Sequence, residues 1–153
     1  MNQAHSNRYK VTPASYEDIA RLAFLEKQVY ADDAYSGLFF YQALRQWPAT
    51  FLTVKDADSA EGYSLLVPVT ASKLSLMSVL IGESAQGKGL GRKLLQESVT
   101  LARSLGYKEI ELSVSPANTP AIALYQSFGF KKTETIADYL GPGEDRTIMT
   151  LLL

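Results

Sequence analysis

The chain has 153 residues, enough for one domain with a full apolar core, and its 46% hydrophobic and 20% charged residues are those of an ordinary globular protein. A net charge of −1, no cysteine and the single histidine His5 argue against a broadly basic nucleic-acid surface and exclude disulfides, thiol nucleophiles, cysteine-ligated metal and any catalytic triad built on histidine. No apolar run approaches the ~20 residues that span a bilayer, and residues 1–7 carry no signal-peptide apolar region, so the expectation is a cytoplasmic protein with a disordered tail over 1–7 and one domain over 8–153.

Arg8 to Thr12 reads as a short strand stopped by Pro13, which has no N–H to give a ladder. Ser15 followed by Asp18 has the spacing of a helix N-terminus, and Ile19, Leu22, Ala23, Val29 and Tyr30 recur near the helical period, which predicts a helix over 16–30. Ala31 to Gly37 lacks periodicity and holds the acidic pair Asp32-Asp33; Leu38 to Trp47 is a second predicted helix, closed by Pro48. Thr50 to Lys55 and Tyr63 to Thr70 are β-rich runs joined by the polar connection Asp56 to Gly62, a predicted hairpin. Leu74 to Ile81 is a third neighbouring strand.

After that strand come glycines at 87, 89 and 91, then Leu90, Leu94, Leu95, Val99 and Ala102 at helical spacing as far as Gly106. The pattern is strand, glycine loop, helix over 90–105. Such a loop gathers unpaired backbone N–H groups and the positive end of a helix dipole at one point with no side chain in the way, which suits a phosphate. A nucleoside-triphosphate loop needs a hydroxyl after Gly-Lys, where Gly89-Leu90 stands here; the dinucleotide pattern needs a glycine where Arg92 stands.

In the second half Ile110, Leu112 and Val114 alternate with Glu109, Glu111, Ser113 and Ser115, a strand with one buried face. Asn118 to Phe128 is a short helix, a strand follows near 130–136, and the loop Leu140 to Asp145 leads to a last strand ending in Leu151-Leu152-Leu153. The order βααβββαβαββ predicts an α/β fold, with a mixed, mostly antiparallel sheet of about seven strands and helices on both faces.

Two motifs carry a resemblance. Gln86-Gly87-Lys88-Gly89-Leu90-Gly91 resembles the Gln/Arg-x-x-Gly-x-Gly/Ala pyrophosphate loop of the GNAT superfamily of N-acetyltransferases. The segment from Asn118 through Ala121, Leu124-Tyr125 and Gly129-Phe130 is similar to that family's Asn-x-x-Ala-x-x-Leu-Tyr-x-x-x-Gly-Phe, in the right order. The likeness covers about residues 74–153 and is nearest in look to bacterial ribosomal-protein alanine N-acetyltransferases and uncharacterised relatives; the first half adds only the element order and a Glu26…Asp33…Ser36 pattern seen in some members.

The resemblance implies acetyl-coenzyme A as co-substrate, no metal, and direct transfer of acetyl to a primary amine, either a small molecule or a peptide or protein N-terminus, with no nucleic acid or membrane as partner. It implies that the backbone of Val79, Leu80 and Ile81 receives the acetyl and pantetheine portion. Gln86, Gly87, Lys88, Gly89, Leu90 and Gly91 cradle the pyrophosphate, joined by Arg92 and Lys93. Asn118 hydrogen-bonds the coenzyme arm, and Tyr125 protonates the departing thiolate as general acid. Several of these residues also have a plain structural use: Val79 to Ile81 as core strand, Asn118 as a helix cap, Tyr125 as part of an aromatic cluster with Phe128 and Phe130. The base is where the chain departs, because Ser113 stands directly before Val114 where ribosomal-protein alanine acetyltransferases carry Glu. Glu111, Glu83, Asp32 and Asp33 stay open for that role through water. The alternative is a non-catalytic acyl-coenzyme A-binding module with the same fold.

Overall fold

The structure is a computed structural model and describes residues 8–153; the tail over 1–7, with His5, lies outside the described residues. The strands are β1 (Tyr9–Pro13), β2 (Phe51–Asp56), β3 (Ser59–Pro68), β4 (Lys73–Ile81), β5 (Glu109–Val114), β6 (Lys131–Ile136) and β7 (Arg146–Leu152). The α-helices are α1 (Ile19–Tyr30), α2 (Gly37–Gln46), α3 (Leu90–Ser104) and α4 (Thr119–Ser127). The seven strands form one sheet in the order β1-β2-β3-β4-β5-β7-β6. Pairs β1–β2, β2–β3, β5–β7 and β6–β7 are antiparallel, and β4–β5 is parallel, as a connection through a helix requires. The fold is the mixed, mostly antiparallel α/β arrangement that the element order predicts.

The chain divides into two compact units, one comprising the segment up to Leu66 together with Ser78–Leu101, the other Val67–Met77 together with Ala102–Leu153. In the first unit, Asp18 organises the approach to α1: its Oδ2 accepts from the Ser15 N–H (2.9 Å) and hydroxyl (3.1 Å), and its Oδ1 lies 3.2 Å from Lys55 Nζ. The predicted helix over 16–30 therefore opens as a 3₁₀ turn, Tyr16–Asp18, before α1 proper. Pro13 closes β1 inside the ladder, opposite Leu52, which an edge strand tolerates.

The hairpin is tighter than its polar composition predicts. Its turn is Ala57-Asp58, with Ala57 at φ 54°, and β3 begins at Ser59. Residues 59–62 pair with β2 across a bulge at Val54/Lys55. Ala60 and Gly62 are buried, yet their small side chains give no hydrophobic signal. Alternation along β2 splits this unit's core into two faces. Phe51 packs with Phe40 of α2 and Tyr63 of β3, whereas Leu52 and Val54 join Tyr9, Ala85, Leu90 and Leu94. α2 thus covers one face and α3 the other.

In the second unit β5 buries Ile110, Leu112 and Val114, as its alternation predicts, against β7 in the register Ile110↔Leu151, Leu112↔Met149 and Val114↔Thr147. The β4–β5 ladder covers Lys73–Ser75 against Glu109–Glu111 and ends there.

Candidate functional site

β4 ends at a glycine for steric reasons. Gly82 donates its N–H to Glu61 O (2.8 Å), and a Cβ on it would fall 2.6 Å from Leu25 Cδ2. Glu83–Ala85 then form a 3₁₀ turn with Ala85 buried, and Gln86 folds back so that its Nε2 donates to Ile81 O (3.0 Å). Beyond this closure Gly87 and Gly89 take φ of 79° and 76°, and no heavy atom lies within 4 Å of where a Cβ would be on either. The result is an exposed loop at the start of α3 with open space beside both glycines, where helical N–H groups lack intrahelical partners. Open space and unpaired N–H groups suit a pyrophosphate, so the residues present fit the group that the glycine motif implies.

Leu90 is 4% exposed and anchors α3 in the core, so of the predicted loop residues it can offer a ligand only backbone. Lys88 Nζ sits 3.3 Å from Tyr9 Oη and 5.8 Å from the centre of that ring, which holds an ammonium beside the loop. Arg92 is exposed and Lys93 half-buried in the first turn of α3. On β4, Val79 and Ile81 pack against the Tyr9–Leu94 cluster. Strand alternation turns Ser78 to the opposite face. There its hydroxyl meets Tyr63 Oη at 2.9 Å.

Asn118 and Tyr125 belong to the second unit. Asn118 Oδ1 accepts from Ala121 N–H (3.3 Å), so this side chain caps α4, one of the two uses expected of it. Tyr125 is half-buried with its ring 5.8 Å from Phe130, and its carbonyl accepts from the N–H groups of Phe128 (3.0 Å) and Phe130 (3.1 Å).

The expected bases divide. Ser113 is exposed and engaged by Arg146, whose Nε donates to its hydroxyl (3.3 Å) and whose Nη2 donates to its carbonyl (2.9 Å). Glu111 is held by Lys73 at 3.3 Å, and the same ammonium lies 3.2 Å from Glu109. Those two carboxylates raise the Lys73 pKa, Glu109 foremost. Glu83, Asp32 and Asp33 are exposed in 3₁₀ turns.

One acidic group escaped the sequence reading of the chemistry. Glu26 of α1 is 1% exposed; its Oε2 accepts from the Tyr63 hydroxyl (2.7 Å) and its Oε1 from the Tyr35 N–H (3.3 Å). Burial raises its pKa, partly offset by those two hydrogen bonds. Tyr63 is pushed far above the usual phenol range, by burial first and by the Glu26 charge second. The available signal was a carboxylate in the apolar stripe Leu22-Leu25-Glu26-Val29.

The class that fold and loop define is an α/β protein in which a sheet strand runs through an open glycine loop into a helix, without the hydroxyl of a triphosphate loop. Residues 15–130 match the profile of the acetyltransferase (GNAT) family, and the chain belongs to that family. An N-alpha-acetyltransferase of Sulfurisphaera tokodaii is 25% identical over 153 residues, covering 92% of this chain and 91% of the relative. Among solved structures, a ribosomal-protein-alanine N-acetyltransferase of Brucella melitensis superposes with a TM-score of 0.84 at 21% identity, covering 94% of this chain and 99% of that one. The protein yncA of Salmonella typhimurium, solved with acetyl-CoA, gives 0.78 at 23% identity over 96% and 95% of the two chains. These two likenesses establish the fold. Among the described residues no helix is long and apolar enough to cross a membrane.

Proposed function

We propose that this chain is an acetyl-coenzyme A-dependent N-acetyltransferase that transfers acetyl directly to an α-amino group of a peptide or protein. The observation that carries the proposal is the Gly87–Gly89 loop at the start of α3, whose left-handed glycines leave the backbone open to an anion. The named activities of the Sulfurisphaera and Brucella proteins support the acceptor class. Residues 8–153 work as one transferase domain, which the family match over 15–130 supports by taking in parts of both units.

Bound acetyl-coenzyme A supplies the thioester. The N–H groups of the loop and the first turn of α3 bind its pyrophosphate, with positive charge from Lys88, Arg92 and Lys93. The β4–β5 ladder stops at Ser75, so backbone groups of Val79 to Ile81 outside it hold the acetyl and pantetheine portion. Asn118 keeps its oxygen for the cap and turns its amide N–H to the coenzyme arm. The Tyr125 phenol, a group with pKa ~10 and so protonated at neutral pH, gives its proton to the departing thiolate. No cysteine exists to carry an acyl group between steps, which supports direct transfer.

A thiol-release assay with acetyl-coenzyme A and peptides bearing free N-termini tests this. Release above the hydrolysis background is expected. Coenzyme binding by calorimetry without release for any amine would instead favour the acyl-coenzyme A-binding module, the reading that the Arg146 grip on Ser113 favours.

A further inference from the structure

The acceptor amine must shed protons, and the position before Val114 holds a serine engaged by Arg146. A carboxylate of suitable character lies elsewhere. Resting on the transferase reading above, we infer that Glu26 takes the acceptor's proton through a hydrogen-bonded relay, Ser78 to Tyr63 to Glu26, whose outer end is the Ser78 hydroxyl on β4. Tyr63 donates to Glu26 Oε2 at 2.7 Å and its oxygen lies 2.9 Å from Ser78 Oγ, so three groups from α1, β3 and β4 form one chain. Tyr63 is 0% and Glu26 1% exposed, whereas Ser78 is only half-buried, so the relay has one accessible end. That end directly precedes Val79 and faces away from the Val79 and Ile81 side chains.

The carboxylate accepts on both oxygens, Oε2 from the Tyr63 hydroxyl and Oε1 from the Tyr35 N–H, which a glutamine with its single acceptor oxygen cannot reproduce, and the same two bonds hold it aimed along the relay. The groups facing Glu26 are Tyr63 from β3, Tyr35 from the corner after α1 and, through Tyr63, Ser78 from β4. A carboxyl raised by burial is a stronger base than an exposed one, and Tyr63, held protonated, passes a proton without retaining charge.

The step balances. An acceptor ammonium gives one proton to Ser78 Oγ as the Ser78 proton moves to Tyr63 Oη and the Tyr63 proton to Glu26 Oε2. Both hydroxyls end neutral and Glu26 ends as the acid. The freed amine forms the C–N bond as the C–S bond breaks, the thiolate takes the Tyr125 proton, and the second nitrogen proton restores Tyr125. The Glu26 proton returns along the relay to water.

Of the three relay groups only Ser78 touches the acceptor; Glu26 and Tyr63 are positioning residues acting through it. The test compares Glu26→Gln, Tyr63→Phe and Ser78→Ala with wild type for folding, acetyl-coenzyme A affinity, and kcat against pH with an N-terminal peptide amine. Glu26→Gln and Tyr63→Phe should each lower kcat ~10²-fold or more with affinity changed less than about threefold, and the double variant should be no slower than the singles. In wild type the acidic limb of the rate profile should match the Glu26 titration followed by ¹³C carboxyl resonance. Tyr63→Phe should move that titration upward, because it removes a bond that favours the charged form. A folded Glu26→Gln protein with wild-type kcat and an unchanged acidic limb overturns the relay while the transferase stands. If no amine raises thiol release by wild type above the hydrolysis background, the transferase reading falls and the relay with it. Should Glu26→Gln fail to fold, Tyr63→Phe, which removes a single oxygen, decides alone.

Discussion

The glycine loop makes a quantitative prediction because two glycines share one strain and differ in place. Gly89 has φ 76° and Gly106, just past the end of α3, has φ 86°; a Cβ on either meets no atom within 4 Å. Valine at either position therefore meets no steric clash in the free protein and costs only the left-handed backbone, about 1–2 kcal/mol and somewhat more for a β-branched residue. Against a typical stability of about 5–15 kcal/mol both variants stay folded, with melting temperatures lower by roughly 2–8 °C at about 2–4 °C per kcal/mol. They part on coenzyme binding. At 89 the isopropyl group occupies the space proposed for the pyrophosphate; losing two charge-assisted N–H bonds, each about 1.5–3 kcal/mol, weakens binding by ~10²–10⁴-fold. Gly106→Val should bind as wild type does. Calorimetric titration with acetyl-coenzyme A, alongside thermal melts, reads both effects. Equal affinity in the two folded variants would refute the loop as the phosphate site.

Tyr125→Phe should lower kcat by ~10²–10⁴-fold with little change in acetyl-coenzyme A affinity; a wild-type rate where chemistry limits would leave Tyr125 as packing against Phe130 alone. Asp18→Ala removes both Ser15 bonds and the Lys55 partner and should destabilise by about 1–3 kcal/mol in denaturant melts, with catalysis in the folded fraction unchanged. In matched peptides at pH 7, N-terminal amines should be acetylated at least ~10-fold faster than lysine side chains; equal rates would remove the acceptor assignment.

What could be read from the sequence was what is local in it. The alternation of Ile110, Leu112 and Val114 named the buried face of β5, and the apolar period after Gly89 named α3, because each element exposes its own repeat. The loop Gln86 to Gly91 was legible for the same reason. The hairpin was not: Ser59, Ala60 and Gly62 pair through backbone with β2, and nothing in their side chains advertises it. Glu26 shows the limit most clearly. Its partners Tyr63 and Ser78 stand on β3 and β4, 37 and 52 positions along the chain, so only the sheet's register turns a lone acid in an apolar stripe into the end of a relay.

The exchange of a carboxylate for Ser113 then has an energetic context. A lysine amine with pKa ~10.4 must spend roughly 4–5 kcal/mol to be neutral at pH 7, whereas an α-amino group with pKa ~8 needs only about 1–1.5. Asp32, Asp33 and Glu83 are exposed acids in 3₁₀ turns whose charge can attract a cationic amine. Glu111 is further committed to Lys73. A buried carboxyl differs, since each unit its pKa rises removes about 1.36 kcal/mol from the proton transfer. The direction of the Glu26 shift thus closes part of a gap that is already small for an α-amine and too wide for a lysine. Under the proposed chemistry an acceptor of low pKa and a base raised by burial replace the missing glutamate together, which leaves Ser113 free to serve as an anchor for Arg146.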